Sequence, residues 1–136
     1  MYDQSLKAYR SVGLAGRVGS ADRHGLIQIL MEAGLEQIAM ARGHMQREEI
    51  AAKGGCISKA ITIVEGLRLA LDHEQGEIAA NLERLYDYMG RRLVEANLRN
   101  DPELLDEVGG LLKEIKLAWD EVPAQLEAAG GSAAGG

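Results

Sequence analysis

The chain has 136 residues, of which 46% are hydrophobic and only 4% aromatic, with no Phe. This length fits one domain with a sizeable core, and an aliphatic core favours packed helices over a sheet. Twenty-one acidic and fifteen basic residues give a net charge of −6, which argues against a nucleic-acid-binding protein.

The first predicted element is an N-terminal arm, residues 1–19. Tyr2, Leu6 and Tyr9 are spaced as on one face of a short amphipathic helix. Three glycines between positions 13 and 19 follow it and form a loose hinge. We therefore expect a short helical arm that is separate from the main domain.

The first long helix is predicted from about Arg23 to Gln46, with Ser20 or Asp22 as its N-cap. Its apolar residues form two faces. One comprises Leu26, Ile29, Leu30, Ala33 and Met40, and the other comprises Ile27, Met31, Leu35, Ile38 and Met45. Either neighbouring helices cover both faces, or the second face is a groove for an apolar segment of another chain.

A second helix is predicted from about Glu49 to Leu71, although the pair Gly54 and Gly55 either lies inside it or breaks it. We expect Cys56, a single cysteine that cannot form an internal disulfide, to be a buried structural thiol.

The third helix is predicted from about Glu77 to Arg99. Its main stripe comprises Ile78, Leu82, Leu85, Tyr86, Met89, Leu93 and Ala96. That stripe is enough for a bundle core. Val94 and Leu98 lie well off the stripe and Tyr88 lies on yet another side, so these three residues are candidates for contact with a partner.

Asn100, Asp101 and Pro102 supply a stop, an N-cap and a proline at the first helical position, so the fourth helix starts at once and runs to about Val122. Connections this short predict an all-α, antiparallel, up-and-down four-helix bundle. We assign residues 20–126 to this bundle and residues 127–136 to a disordered tail.

The sequence gives little support to an enzyme. No Glu-x-x-His motif and no phosphate-binding loop occurs, and His24, His44 and His73 are scattered. We therefore expect no catalytic residue, no metal and no cofactor. A metal-dependent bundle enzyme is the third alternative, after a binding module and a self-associating adaptor. No signal peptide or long apolar span is present, so we expect a cytoplasmic protein without membrane insertion.

Several short motifs of the sequence resemble those of one protein family. They are LYDYM (85–89), RRLVEANL (91–98), Asp101-Pro102 and IKLAW (115–119), with LIQIL (26–30) upstream. Together they are similar to the flagellar secretion chaperone FliS, over nearly the whole chain from the arm to Trp119. The resemblance implies a small helical bundle without catalytic activity that binds newly made flagellin in the cytoplasm.

In that family the client is the C-terminal segment of flagellin, which is disordered in the monomer. The resemblance implies that covering this segment prevents premature polymerisation and helps to present flagellin to the flagellar export gate. It also implies that the N-terminal arm can occupy part of the client surface when the client is absent. We expect a monomer or weak homodimer in the free state. The alternative is a self-associating helical adaptor.

On this basis the predicted partner-binding residues are Leu6, Tyr9, Ile27, Met31, Leu35, Ile38, Tyr86, Tyr88, Val94, Asn97 and Leu98. Tyr86 and Asn97 lie at the edge of the main stripe, where a core role is an equal alternative. If the second face of the first long helix is open, Asp at Ile38 or Val94 abolishes client binding and leaves the fold intact.

Overall fold

The computed structural model describes residues 22–122, which form four long α-helices. They are α1 (Arg23–Gln46), α2 (Ile50–Leu69), α3 (Glu77–Arg99) and α4 (Pro102–Glu121), and a short 3-10 helix (His73–Gln75) precedes α3. No strand occurs in this part of the chain. The predicted all-α bundle is confirmed. The arm, with Leu6 and Tyr9, and the tail lie outside the described residues.

The four helices form a closed square. Helix α1 packs on α2 and α4, and α3 packs on the same two neighbours. Because each connection is short, consecutive helices run in opposite directions. This arrangement is the predicted up-and-down topology.

Local sequence sets the helix ends. The backbone N–H of Gly25 donates to Asp22 Oδ1 at 2.8 Å, so Asp22 is the N-cap of α1. Between α3 and α4, Asn100 is left-handed with φ of 53°, and Asp101 Oδ1 accepts a hydrogen bond from the N–H of Glu103 at 3.0 Å. Pro102 then opens α4. The predicted stop, cap and proline are all observed.

A buried lysine ties α2 to the end of α3. Lys53 Nζ donates to the carbonyl oxygen of Asn97 and to Asn100 Oδ1, both at 3.0 Å. A cation at this position complements the unsatisfied carbonyls and the negative end of the helix dipole. The contact therefore fixes the last turn of α3 against α2.

The core is aliphatic, as the composition predicts. Its largest fully buried side chains are Leu26, Leu30, Met31, Ile57, Ile63, Met89, Leu93, Leu105, Val108 and Leu112. Gly34 lies at a close approach of α1 to α2 and α4, because a Cβ there would be 2.9 Å from Leu112 and 3.2 Å from Ile63. Helix α2 is continuous through Gly54 and Gly55, so the glycine pair does not break it. Cys56 is buried, as expected.

Candidate functional site

Helices α3 and α4 are joined firmly at only one end. The Tyr88 hydroxyl donates to Glu107 Oε2 at 2.6 Å, and Arg92 Nε donates to Glu107 Oε1 at 2.9 Å. The Arg92 guanidinium also lies over the Tyr88 ring, 5.6 Å from its centroid. These contacts hold the C-terminal half of α3 against the N-terminal half of α4. We call this cluster, Tyr88, Arg92 and Glu107, the latch.

Beyond the latch, α3 and α4 are hydrogen-bonded to different neighbouring helices. The C-terminal half of α4 is tied to α1, because Gln28 Nε2 donates to Asp120 Oδ1 at 2.9 Å and Trp119 Nε1 donates to the carbonyl of His24 at 3.1 Å. The N-terminal half of α3 is tied to α2 by Arg68 Nη1, which donates to Glu83 Oε1 at 3.1 Å. A groove of about 810 Å³ therefore opens between α3 and α4.

The groove is mainly apolar. Its floor includes Ile27, Met31, Leu67 and Tyr86, and its walls include Ile78, Leu82, Ile115, Ala118, Trp119 and Val122. Ile78 is 68% exposed although it belongs to the predicted core stripe of α3. Such a surface costs free energy in water and suits the apolar face of a helix from a partner.

Trp119 has a fixed orientation on the groove wall. Its ring stacks on the His24 ring with centroids 4.8 Å apart and planes 16° apart, and its N–H is held by the His24 carbonyl. The indole therefore presents a preorganised apolar surface, which lowers the entropic cost of binding.

The groove lining also includes charged and amide side chains, which we call the rim. Those that line the groove are Arg23, Asp72, Gln75, Asn81 and Glu114. Hydrogen bonds from the Glu74 backbone N–H and the Gln75 amide lower the pKa of Asp72. Asp72 is therefore ionised at neutral pH.

The second apolar face of α1 is covered by its neighbours, so it is not an open groove. Ile27, Met31 and Ile38 are all buried, and Leu35 is half-buried against the core. The physical reason is that α1 touches both α2 and α4, so each of its two faces has a partner inside the bundle. Ile27 and Met31 still reach the groove, as part of its floor.

The predicted residues of α3 fall into three environments. Tyr86 is buried in the groove floor, and this burial raises the pKa of its hydroxyl. Tyr88 belongs to the latch. Asn97 faces Gly54 of α2, since a Cβ at Gly54 would lie 3.9 Å from Asn97 Oδ1. Tyr88 thus serves a contact within the bundle, whereas the Oδ1 atom of Asn97 is buried against α2 without a hydrogen-bond partner among the described residues.

Val94 and Leu98 lie on a separate exposed surface. Val94 is 47% exposed and Leu98 is 80% exposed, and their spacing of four residues places them side by side on α3. Ile50, at the start of α2, is 57% exposed. The prediction that Val94 and Leu98 lie off the core stripe is confirmed. We call Ile50, Val94 and Leu98 the outer apolar residues.

The sequence does not reveal the groove walls, because Ile78 and Leu82 lie on the stripe of α3 that is predicted to face the core. A helical wheel treats each helix alone and contains no signal that α3 and α4 diverge. Among residues 22–122, no group of three His, Cys, Asp or Glu side chains could hold a metal ion. No helix in the same range is both long and apolar enough to cross a membrane.

Comparison with known proteins finds one matching family and several relatives that carry the same name. The family described as "Flagellar protein FliS" matches residues 5–126. The chain is 54% identical over 120 residues to the flagellar secretion chaperone FliSB of Pseudomonas aeruginosa, which covers 88% of this chain and 95% of the relative. It is 46% identical over 125 residues to the flagellar secretion chaperone FliS of Salmonella typhimurium, with 90% and 93% covered. The Vibrio cholerae protein of that name is 38% identical over 122 residues, with 89% and 90% covered.

Proposed function

The chain belongs to the FliS family of flagellar proteins, and from this premise we propose that it is an export chaperone for flagellin. It binds the disordered C-terminal segment of flagellin in the cytoplasm and prevents premature polymerisation. It then assists delivery to the gate of the flagellar type III export apparatus. This role requires neither catalysis nor a cofactor.

The groove between α3 and α4 is the observation that carries the proposal. A disordered segment that folds on binding loses several kcal/mol to ordering, so it needs a long apolar contact. The exposed Ile78 and the fixed Trp119 ring supply apolar surface on opposite walls, above a floor that includes Met31 and Tyr86. An amphipathic client helix in this groove buries its own apolar face and that of the groove together.

The outer apolar residues extend the client surface in this proposal. Val94 and Leu98 lie on the outside of α3, in the half of the helix that the latch holds. A client that wraps around the bundle contacts the groove with one helix and Val94 and Leu98 with another stretch. Two separate contacts on one flexible chain raise the overall affinity above that of either contact.

The N-terminal arm is the internal competitor in this proposal. We treat residues 1–19 as a unit separate from the bundle of residues 20–126 and from the tail of residues 127–136. The chain enters α1 at Asp22, directly beside Arg23 of the groove rim. An arm attached there reaches the groove with Leu6 and Tyr9, shields it from aggregation and lowers the apparent affinity for the client.

Calorimetric titration tests the function. A peptide that covers the C-terminal segment of flagellin from the same organism is titrated into the full chain and into a variant that lacks residues 1–19. We expect one-to-one binding with a large negative heat-capacity change, and tighter binding by the truncated variant. Absence of binding to both proteins would contradict the proposed function.

The exposure of Val94 and Leu98 also favours a second candidate, a self-associating helical adaptor. The mass of the protein in solution separates the two functions. The chaperone is a monomer or weak homodimer that becomes a one-to-one complex with flagellin. A tight dimer that forms without flagellin and is lost in Leu98→Asp would support the adaptor.

A further inference from the structure

Glu114 of the groove lining, and three glutamates that adjoin lining residues in the sequence, lack ion-pair partners in the described part of the chain. Among residues 22–122, the side chains of Glu74, Glu77, Glu114 and Glu121 form no ion pair. Glu114 lines the groove itself, and the other three directly adjoin the lining residues Gln75, Ile78 and Val122 in the sequence. The ionised Asp72 adds a further negative charge to this rim.

Elsewhere in the bundle, most carboxylates are neutralised by a basic neighbour. Glu65 pairs with Arg68 at 2.5 Å, Asp106 with Arg42 at 2.6 Å and Asp120 with Lys116 at 2.6 Å. Among the residues that line the groove, the basic side chain is Arg23, against the acids Asp72 and Glu114. Arg23 donates to the Ala70 carbonyl, and its charge helps to lower the pKa of Asp72. The rim therefore keeps a net negative charge around an apolar floor.

We propose that the groove selects a helical partner segment in which Lys or Arg residues flank the apolar stripe. The apolar lining supplies most of the affinity, whereas the acidic rim gives charge complementarity and faster association. This proposal rests on the function proposed above and adds the chemical character of the segment that the groove accepts.

The chain itself contains one segment of this kind. Residues 1–19 combine an apolar stripe with basic side chains, namely Lys7, Arg10 and Arg17 against the single acid Asp3. The arm that we propose as the internal competitor therefore has the charge that complements the rim. A client with the same character competes with the arm for both the apolar and the charged contacts.

Two synthetic amphipathic peptides test this preference on the full chain. They share one leucine stripe and lack Trp, and their flanking residues are all Lys in one peptide and all Glu in the other. Fluorescence of Trp119, the only tryptophan, reports binding. At low salt we expect the Lys peptide to bind about tenfold or more tightly than the Glu peptide. The preference should fall to about twofold in 1 M salt, where the Debye length is about 3 Å.

Two double variants that remove the same amount of charge test whether the preference for the Lys peptide comes from the groove rim. Glu77→Gln combined with Glu114→Gln should weaken binding of the Lys peptide about three- to tenfold and strengthen binding of the Glu peptide, because it removes like charge from the rim. Glu48→Gln combined with Glu103→Gln removes the same charge at the other end of the bundle and should change neither. Glu103 is a suitable control for Glu77, since each lies in the first turn of its helix. Glu114→Gln alone avoids any effect on a helix start.

Equal binding of the two peptides, no binding by either, or an equal loss in the control variant would each overturn the proposal. Because the peptides are synthetic, these outcomes are independent of flagellin. If flagellin fails to bind but the Lys peptide is preferred, the proposed function is contradicted and the charge preference of the groove stands.

Discussion

Helices α1 and α3 both carry apolar surface, and the bundle treats them in opposite ways. Helix α1 has two apolar faces, and both are covered by α2 and α4 except at Met40, which is 49% exposed. Helix α3 has one continuous stripe, yet only part of that stripe is covered. Met89 and Leu93 are fully buried, whereas Ile78 is open to the groove.

The difference shows that the amount of apolar surface on a helix does not identify a docking site. What decides is whether a neighbouring helix remains close enough to cover the surface. Hydrogen bonds direct α4 towards α1 beyond the latch, and one ion pair directs α3 towards α2. The exposed apolar surface therefore lies on α3, which has a single apolar stripe, and not on α1, which has two apolar faces.

Aspartate substitutions on α1 and α3 should give the largest difference in stability between a buried and an exposed apolar position. Ile38→Asp places a carboxylate in the core, so we expect a loss of about 3–5 kcal/mol in the free energy of unfolding. Val94→Asp should change it by less than about 0.5 kcal/mol and should weaken flagellin binding. Urea unfolding followed by circular dichroism measures both. A folded Ile38→Asp variant of normal stability would show that α1 is less enclosed than the structure indicates.

Adding a methyl group at Gly34 tests how tightly α1 is enclosed. A Cβ there meets Leu112 and Ile63 at distances that require rearrangement, so Gly34→Ala should cost about 1–3 kcal/mol. Gly55→Ala is the matched control within a helix, because nothing lies within 4 Å of its Cβ position. It should stabilise the bundle by up to about 1 kcal/mol through helix propensity. Thermal melts of the two variants should shift in opposite directions.

Tyr88→Phe weakens the latch that closes one end of the groove, and its effect should depend on pH. Hydrogen bonds from Tyr88 and Arg92 lower the pKa of Glu107 in the folded state. The folded state therefore favours the ionised carboxylate, which adds stability above the ordinary glutamate pKa. This stability is lost as the pH falls through the lowered pKa. We expect the variant to be slightly less stable at pH 7 and equal to the parent in strong acid. A stability difference that does not vary with pH would contradict this assignment.

Two substitutions in the single stripe of α3 compare its open part with its buried part directly. Ile78→Ser should change the stability by less than about 0.5 kcal/mol, while partner affinity falls about ten- to a hundredfold through the lost burial of one side chain. Leu93→Ala should instead cost about 2–5 kcal/mol, since Leu93 is fully buried. Equal destabilisation by the two would mean that the groove is closed in solution.

Most of the fold could be predicted from the sequence, because its signals are local. Asp22 begins α1, and Asn100, Asp101 and Pro102 separate α3 from α4 as expected. The limits of α1 and α3 agree with the prediction. Helix α2 begins one residue later than predicted and ends two residues earlier.

The candidate site was harder to predict from the sequence, because it depends on distances between helices. Val94 and Leu98 could be recognised as exposed, since they lie far from the stripe of their own helix. Ile78 could not be recognised, because it lies on the same stripe as Leu93. The two residues differ only in that α4 does not cover Ile78. Ile38 was misplaced for the converse reason, since a wheel cannot show that a second helix covers the second face.

The position of the groove also decides where this protein can be labelled. Arg23 and Val122 both line the groove, so the first residue of α1 and the residue after α4 lie beside it. A fluorophore attached at either of these two positions would therefore crowd the entering partner. The turn between α1 and α2 lies at the opposite end, and Glu48 is exposed there. A cysteine introduced at Glu48, with the native thiol of Cys56 buried, offers an attachment site that leaves the groove unobstructed.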